Sequence, residues 1–320
     1  SEERGRPSLV LWLRTKEAPA KIIISDPQLV FFISRDVSNE KLSGIAKFER
    51  KLLPLKDMGF RDIDGLYFQN HKDLLEAKDI LQNAGVRTYE ADIRPLERYL
   101  MERFIHAHVE VSGSIQSNGS SLIVQDAQLR STKPVDVTFS LLSLDIETSM
   151  KGDLLSVGLH QINHDGTGGE KSLVLMNGSE NGEKDSSLPV EWLSSEPEVL
   201  KRMLDTIKEW DPDVITGWHV IGFDFKFLEK KANQYGIHLT MGRENDRLNI
   251  FERNGASFAS MKGRIVLDGP WAFKANFFSF SNFKLDTVAH EVLGVGKDIE
   301  ATGMEKVAEL SLIHISEPTR

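Results

Sequence analysis

The sequence predicts an α/β protein in two parts. A mixed α+β segment occupies residues 1–136, and a mixed sheet flanked by helices occupies residues 137–309. Three observations carry this reading. The 320 residues suffice for two domains, since a domain takes roughly 100–200. The first part interleaves short β-type runs with two helical patterns. The second runs three strand-like stretches and then helix, strand and helix, an order that packs helices on a sheet.

The elements follow in order. Leu9-Val10-Leu11-Trp12, Ile22-Ile23-Ile24 and Val30-Phe31-Phe32-Ile33 are apolar runs between polar breaks and read as strands. A helix is expected after Asn70, with Leu74, Leu75, Ala77, Ile80 and Leu81 at near-helical spacing. Residues 86–89 return to a strand. Pro95 suits a first helical turn, and the helix is expected to continue through Phe104. Residues 109–111 and 122–125 read as strands, with 112–121 as a Gly/Ser/Asn turn between them. Ser131-Thr132-Lys133-Pro134 is the expected junction.

In the second part, residues 137–146 form a buried-type strand, with 154–159 and 171–176 as antiparallel neighbours and 177–189 as a polar loop. Ser195-Glu196-Pro197-Glu198 reads as a capping box with proline in the first turn. Val199, Leu200, Met203, Leu204 and Ile207 then lie on one helix face. Val214-Ile215-Thr216 is a short strand, followed by a helix containing Phe227 and Leu228. Asp286 and His290 read as helix-surface residues. No internal repeat is visible.

Composition excludes several function classes. Apolar residues make up 40% and charged residues 27%, an ordinary globular balance. No apolar run approaches the roughly 18–20 residues of a membrane helix. The absence of cysteine excludes disulfides, zinc-thiolate sites and thiol nucleophiles, and is compatible with a reducing cytoplasm. Counted as Lys and Arg against Asp and Glu, residues 1–136 sum to 0 and residues 137–320 sum to −9. That balance argues against a protein that coats DNA, which needs a basic surface. It is compatible with an enzyme that holds divalent metal on carboxylates. Both ends are expected to be cut: the chain opens Ser1-Glu2-Glu3-Arg4 without Met or a basic-then-apolar leader. Residues 310–320 (LSLIHISEPTR) resemble one reading frame of a sequencing-library adapter, and are set aside as an artefact.

The chemistry concentrates in two stretches. Asp145-Ile146-Glu147-Thr148 ends a strand, where residues two apart point to one face. Asp145 and Glu147 therefore project together, with Ile146 opposite. Two such charges are costly side by side unless a cation sits between them or one is protonated. Mg²⁺ and Mn²⁺ suit carboxylate ligands; two solvated acids at a frayed strand end are the bland alternative. The second stretch runs from Trp210 to Asp224, a strand leading through Gly217 into a helix start. Asp224 there is favoured by the helix dipole, so a purely structural cap is also open. Asp211 and Asp213 flank Pro212 and read as turn residues rather than ligands.

The D-I-E-T strand followed by D-P-D-V-I-x-G-W-x-V-x-x-F-D resembles the first two exonuclease motifs of the family B DNA polymerases, nearest to bacterial members. Three further blocks fit in order: Tyr89 to Ile105 (YEADIRP and ERYLMERFI), Lys262-Gly263-Arg264 leading to Asp268-Gly269, and Phe280 to Ala289 (FSNFKLDTVA). The resemblance implies a polymerase N-terminal domain over 1–136 and an RNase H-like 3′→5′ exonuclease domain over 137–309, incomplete at its C-terminus. It implies two divalent ions, Mg²⁺ or Mn²⁺, and proofreading by metal-assisted hydrolysis of the last phosphodiester of a single-stranded 3′ end. Asp145 and Glu147 match the first-motif metal ligands, and Asp224 matches the second-motif acid. Ile146, Thr148, His219 and Phe223 occupy positions expected to contact DNA. The implied partners are DNA as single-stranded 3′ end and primer-template, with dNTPs and a sliding clamp reserved for the longer polymerase. The implied location is the bacterial cytoplasm, at the nucleoid, with no membrane.

The departures are two. His219 stands where the second motif usually has Asn. The third motif, Tyr-x-x-x-Asp, does not occur after Tyr235, the last tyrosine, and the polymerase motifs Asp-Thr-Asp and Ser-Leu-Tyr-Pro-Ser are missing from these residues. Weak or no hydrolysis by this chain alone is therefore expected. His219 and Asp224 also read H-x-x-x-x-D, but they already occupy the second-motif position. Two rivals stand beside the main reading: a stand-alone exonuclease of the same fold, and a non-catalytic DNA-binding or scaffold module with an incomplete metal site. For residues 241–266, with Arg243, Arg247, Arg253, Lys262 and Arg264, the resemblance implies a hairpin that helps separate primer from template, with a solvated hairpin as the bland alternative. Phe277, Phe278, Phe280 and Phe283 are candidates for base stacking, with core packing as the expected role for most.

Overall fold

In a computed structural model, residues 2–3, 6–179 and 189–294 are described. Two compact units divide at Val137/Thr138.

The first unit holds two sheets. One has five strands, in the order Glu2–Glu3, Arg6–Arg14, Pro19–Ser25, Ser121–Ser131, Val109–Asn118. The other has four: Phe48–Lys56, Asp62–Phe68, Leu29–Ser34, Thr88–Tyr89. Phe31, Ile33, Leu66 and Leu81 are fully buried between the second sheet and the helix His71–Asn83. Asn70 starts that helix as expected, its side chain accepting the Asp73 N–H.

Two expectations fail here, and one pair of strands falls outside them. Residues 112–121 are not a turn: two long strands pair across them and reverse only at Gly119-Ser120, so ladder pairing overrides the turn-rich composition. The helix that begins at Pro95 ends at Met101 and not at Phe104. Phe104 takes a left-handed backbone (φ 52°), and the Ile105 N–H closes on the Leu100 carbonyl at 2.9 Å. The strands Phe48–Lys56 and Asp62–Phe68 carry too weak a sequence signal to be expected. The first is mostly exposed and carries Pro54 within a register shift between Leu52 and Leu55, which only an edge strand tolerates.

The second unit is built on a six-stranded mixed sheet. Its strands are β1 (Ser140–Thr148), β2 (Leu154–Asn163), β3 (Lys171–Asn177), β4 (Val190–Leu193), β5 (Val214–Gly217) and β8 (Ile265–Asp268), in the order β4-β3-β2-β1-β5-β8. β1 pairs antiparallel with β2, and β2 with β3, as expected. β1, β5 and β8 run parallel, so their C-terminal ends share one edge. A separate hairpin, β6 (Asn249–Arg253) with β7 (Ala256–Ser260), lies between β5 and β8 in sequence.

Alternation explains β1. Leu142, Leu144 and Ile146 are buried, while Ser143 and Asp145 are exposed. Helix α1 (Glu196–Trp210) buries Val199, Leu200, Met203 and Ile207 in the same core. Its capping box differs from expectation: the Ser195 side chain makes no cap bond, and Glu198 instead accepts the Ser194 N–H at 3.0 Å and its hydroxyl at 2.7 Å. Helix α2 (Asp224–Gln234) follows β5, and α3 (Gly269–Ala275) follows β8. Helix α4 (Leu285–Leu293) leaves Asp286 and His290 exposed, as expected. Part of the polar loop 177–189, and residues 310–320, lie outside the described residues.

Candidate active site

The site forms where β1 and β5 end. Gly217 makes the approach possible: a Cβ there would lie 2.5 Å from the Leu144 carbonyl oxygen and 3.0 Å from Val220 Cβ. The chain then turns through Trp218 to Phe223 and enters α2 at Asp224. The turn sets the Asp224 carboxylate against β1, where Oδ1 accepts the Ile146 N–H at 3.2 Å. Asp145 and Asp224, far apart in sequence, thereby meet across one backbone hydrogen bond.

Asp224 is 2% exposed. Burial pushes its carboxyl up to about 7, and the charges of Asp145 and then Asp268 add to the rise. The helix N-terminus and the N–H bonds from Asp224 itself and Ile146 oppose this but do not prevail. No basic side chain pairs with Asp224 among the described residues. A structural cap would be stabilised in place; this carboxylate is crowded by like charge.

Asp268 is a residue that sequence reasoning passes over as an acid. It ends β8 opposite Gly217, and its Oδ2 accepts the Ile221 N–H at 3.3 Å, holding the turn that leads to Asp224. The signal is its position at a strand end, visible only once β8 is known to lie parallel beside β5.

Of the residues expected to contact DNA, three are accessible. Thr148 ends β1, half-buried; His219 is exposed; Phe223 is 53% exposed and stacks on Phe227 with ring centres 6.4 Å apart. Ile146 is the correction. It is 5% exposed and packs in the core, because alternation turns it away from Asp145. His219 has a left-handed backbone (φ 60°). Asn and His are among the residues enriched there after glycine, which accounts for a His standing where the motif usually has Asn.

The donor set fits a hard divalent cation in kind: carboxylate oxygens, one of them buried and crowded by like charge. Among the described residues, however, no three His, Asp or Glu side chains converge closely enough to hold an ion.

Two buried polar clusters have no counterpart in the sequence reading. Glu196 is 8% exposed. It accepts the Leu154 N–H at 2.6 Å, Lys231 Nζ at 2.8 and 2.9 Å, and the Tyr235 hydroxyl. It thus ties α1 to α2, the helix that carries Asp224. Arg243 and Arg264 belong by sequence to a basic surface run, yet both are buried. Arg243 bonds Asp211 at 3.0 Å and Asp213 at 2.9 Å, and Arg264 bonds Asp211 at 2.8 Å. Asp211 caps α1 in a left-handed conformation (φ 46°), and Asp213 accepts the Ser140 N–H at 3.1 Å. The two arginines flank β6–β7 and pin its base to the sheet, so they are not free to meet a phosphate.

The comparisons with known proteins agree with this architecture. Residues 86–288 match the family described as DNA polymerase family B, exonuclease domain. The chain belongs to that family. It is 38% identical over 296 residues to DNA polymerase II of Escherichia coli (strain K12), covering 90% of this chain and 36% of that protein. It is 29% identical to a DNA polymerase of Thermococcus hydrothermalis, covering 77% of this chain and 14% of the other. The chain therefore spans about a third or less of the length of these curated relatives. The structure of the family B DNA polymerase from the archaeon Pyrobaculum calidifontis superposes with a TM-score of 0.65 at 20% identity, covering 97% of this chain and 43% of that one. That likeness shows the shared fold. None of the described helices is long and apolar enough to cross a membrane.

Proposed function

We propose that this chain is the N-terminal and proofreading part of a longer DNA polymerase. Residues 1–136 are the polymerase N-terminal domain, 137–309 the incomplete 3′→5′ exonuclease domain, and 310–320 adapter-derived. The reaction is hydrolysis of the terminal phosphodiester of a single-stranded 3′ end during replication or repair. The observation that carries the proposal is the meeting of Asp145 and the buried Asp224 through the Ile146 N–H, in a chain of this family.

Asp145, Glu147 and Asp224 are the carboxylates that would turn onto two divalent ions, Mg²⁺ or Mn²⁺, from positions that do not yet converge among the described residues. When bound, the ions supply activation of water and neutralisation of charge on the phosphate and leaving oxygen. The chain's own residues do the positioning. Gly217 sets the distance between β1 and the turn, and Asp268 holds that turn. Phe223 offers a half-exposed ring to the terminal base, and Thr148 and His219 offer donors to the backbone. A mispaired terminus frays and so reaches such a single-strand site more readily. The partner is DNA. In the longer polymerase dNTPs and a sliding clamp join it, in the bacterial cytoplasm.

One observation favours a second reading, a non-catalytic DNA-binding module: three acids do not converge among the described residues. A single experiment decides. A 3′-labelled oligonucleotide is incubated with excess protein and Mn²⁺, so that even slow trimming registers. Release of labelled nucleotide that disappears in Asp145→Ala and in Asp224→Ala supports the exonuclease. Trimming that survives both substitutions rejects it, and so does DNA binding with neither trimming nor a Mn²⁺-dependent rise in melting temperature that Asp145→Ala removes.

A further inference from the structure

The segment that follows Asp268 carries a feature that the acid site does not use. Helix α3 stops at a left-handed turn: Phe277 donates its N–H to the Lys274 carbonyl at 3.1 Å, and Phe278 to the Phe273 carbonyl at 3.0 Å. This is the hydrogen-bond pattern that normally ends on glycine. Here the left-handed residue is Phe277 (φ 62°), which is 96% exposed. The two cap bonds hold the strained backbone, while the wet aromatic ring stacks on no other ring among the described residues. The helix that begins at Pro95 ends in the same way on Phe104 (φ 52°, 76% exposed), so what sets Phe277 apart is its neighbours rather than its backbone.

Phe277 does not stand alone. Phe278 is 53% exposed and lies parallel to Phe280, with planes 7° apart and centres 6.2 Å apart. Trp271 is 54% exposed. The Lys274 ammonium sits 4.5 Å above the Phe283 ring, and Lys284 is exposed beside it. From Gly269 to Lys284 there is no acidic residue, within a half of the chain whose net charge is −9. The patch also adjoins the acid site. A Cβ on Gly269 would lie 2.7 Å from the Trp218 ring, and Trp218 donates its indole N–H to the Phe283 carbonyl at 3.1 Å.

We propose that Phe277 and Phe278 are a stacking platform for unpaired bases of a single-stranded DNA whose 3′ end lies at the acid site, with Lys274 and Lys284 meeting its phosphates. Flat apolar rings interleaved with cations, along a run whose nearest acids are Asp268, Asp286 and the Glu291 that accepts the Ser281 hydroxyl at 3.4 Å, suit a polyanion with aromatic bases. This rests on the exonuclease reading and deepens it, by naming where the strand upstream of the scissile bond is held.

Phe277→Gly separates the platform from a structural role. Glycine relieves the left-handed backbone, so the variant should melt no lower than wild type. Binding is followed by fluorescence anisotropy in EDTA, with an oligo(dT) and an abasic oligonucleotide of equal length. Phe277→Gly and Phe278→Ala should each weaken oligo(dT) binding by about fivefold or more, the low end for one stacked base. Binding of the abasic strand should not change. Unchanged oligo(dT) affinity in both variants overturns the platform. So does a wild-type dimer, seen by sedimentation, that the variants convert to monomer without loss of oligo(dT) affinity. The two readings fail differently. Trimming that depends on Asp145, with variant affinities unchanged, sinks only the platform; a wild-type chain that binds neither strand sinks both.

Discussion

Asp224→Asn should make the metal-free protein more stable at pH 8. Burial and the charges of Asp145 and Asp268 raise the Asp224 carboxyl from 3.8 to about 7. Below pH 4 the carboxyl is protonated in both folded and unfolded chains, and its contribution to stability is fully present. Between pH 4 and 7 the unfolded chain releases its proton while the folded one keeps it, so stability falls as pH rises. At about 1.4 kcal/mol per pH unit, the loss above pH 7 reaches about 4 kcal/mol as a ceiling. The amide that replaces the carboxyl does not titrate, and its carbonyl oxygen still accepts the Ile146 N–H. Urea unfolding in EDTA at pH 4.5 and pH 8 tests this. The Asn variant should gain clearly over wild type at pH 8 and little at pH 4.5. Adding Mn²⁺ should stabilise the wild type more than the variant. An Asn variant that is less stable at pH 8, or that shows the same pH profile as wild type, refutes the crowded-carboxylate reasoning.

Three further outcomes are expected. Gly217→Ala drives a methyl into the Leu144 carbonyl, 2.5 Å away. It should cost about 1–3 kcal/mol in denaturant unfolding and abolish trimming by parting β1 from the turn. Lys231→Met leaves Glu196 buried without its cation and should cost about 3–5 kcal/mol. Burial pushes the Glu196 carboxyl up, but bonds from Lys231, Tyr235 and the Leu154 N–H outweigh it and leave the group below its usual range. The stability that this carboxylate adds is present above its ordinary range and lost as pH falls through the lowered one, so acid-unfolding curves of wild type and Lys231→Met should converge at low pH. Arg264→Leu removes a pin at the base of β6–β7. Hydrogen exchange over residues 249–260 should quicken while β1 stays protected.

Some elements are legible in the sequence because their signal is local. Strand β1 shows period-two alternation from Leu142 to Ile146, and α1 shows an apolar face from Val199 to Ile207. Backbone sterics and side-chain burial decide these within a few residues. Five ordered blocks are also enough to read the family. The polar strand Phe48–Lys56 is not legible, since its face is mostly exposed and its partner strand supplies the order.

The candidate site divides in the same way. Asp145 and Glu147 share a strand end and Asp224 opens a helix, and both facts follow from the periodicity of local structure along the chain. Packing between distant segments is what lets β5, through Gly217, approach close enough to place Asp224 on the Ile146 N–H. The same packing brings Asp268 to them from a third parallel strand, and makes Arg243 and Arg264 buried anchors rather than a basic surface. A charged residue's environment depends on what packs against it from distant parts of the chain, and composition and spacing along one segment do not encode that.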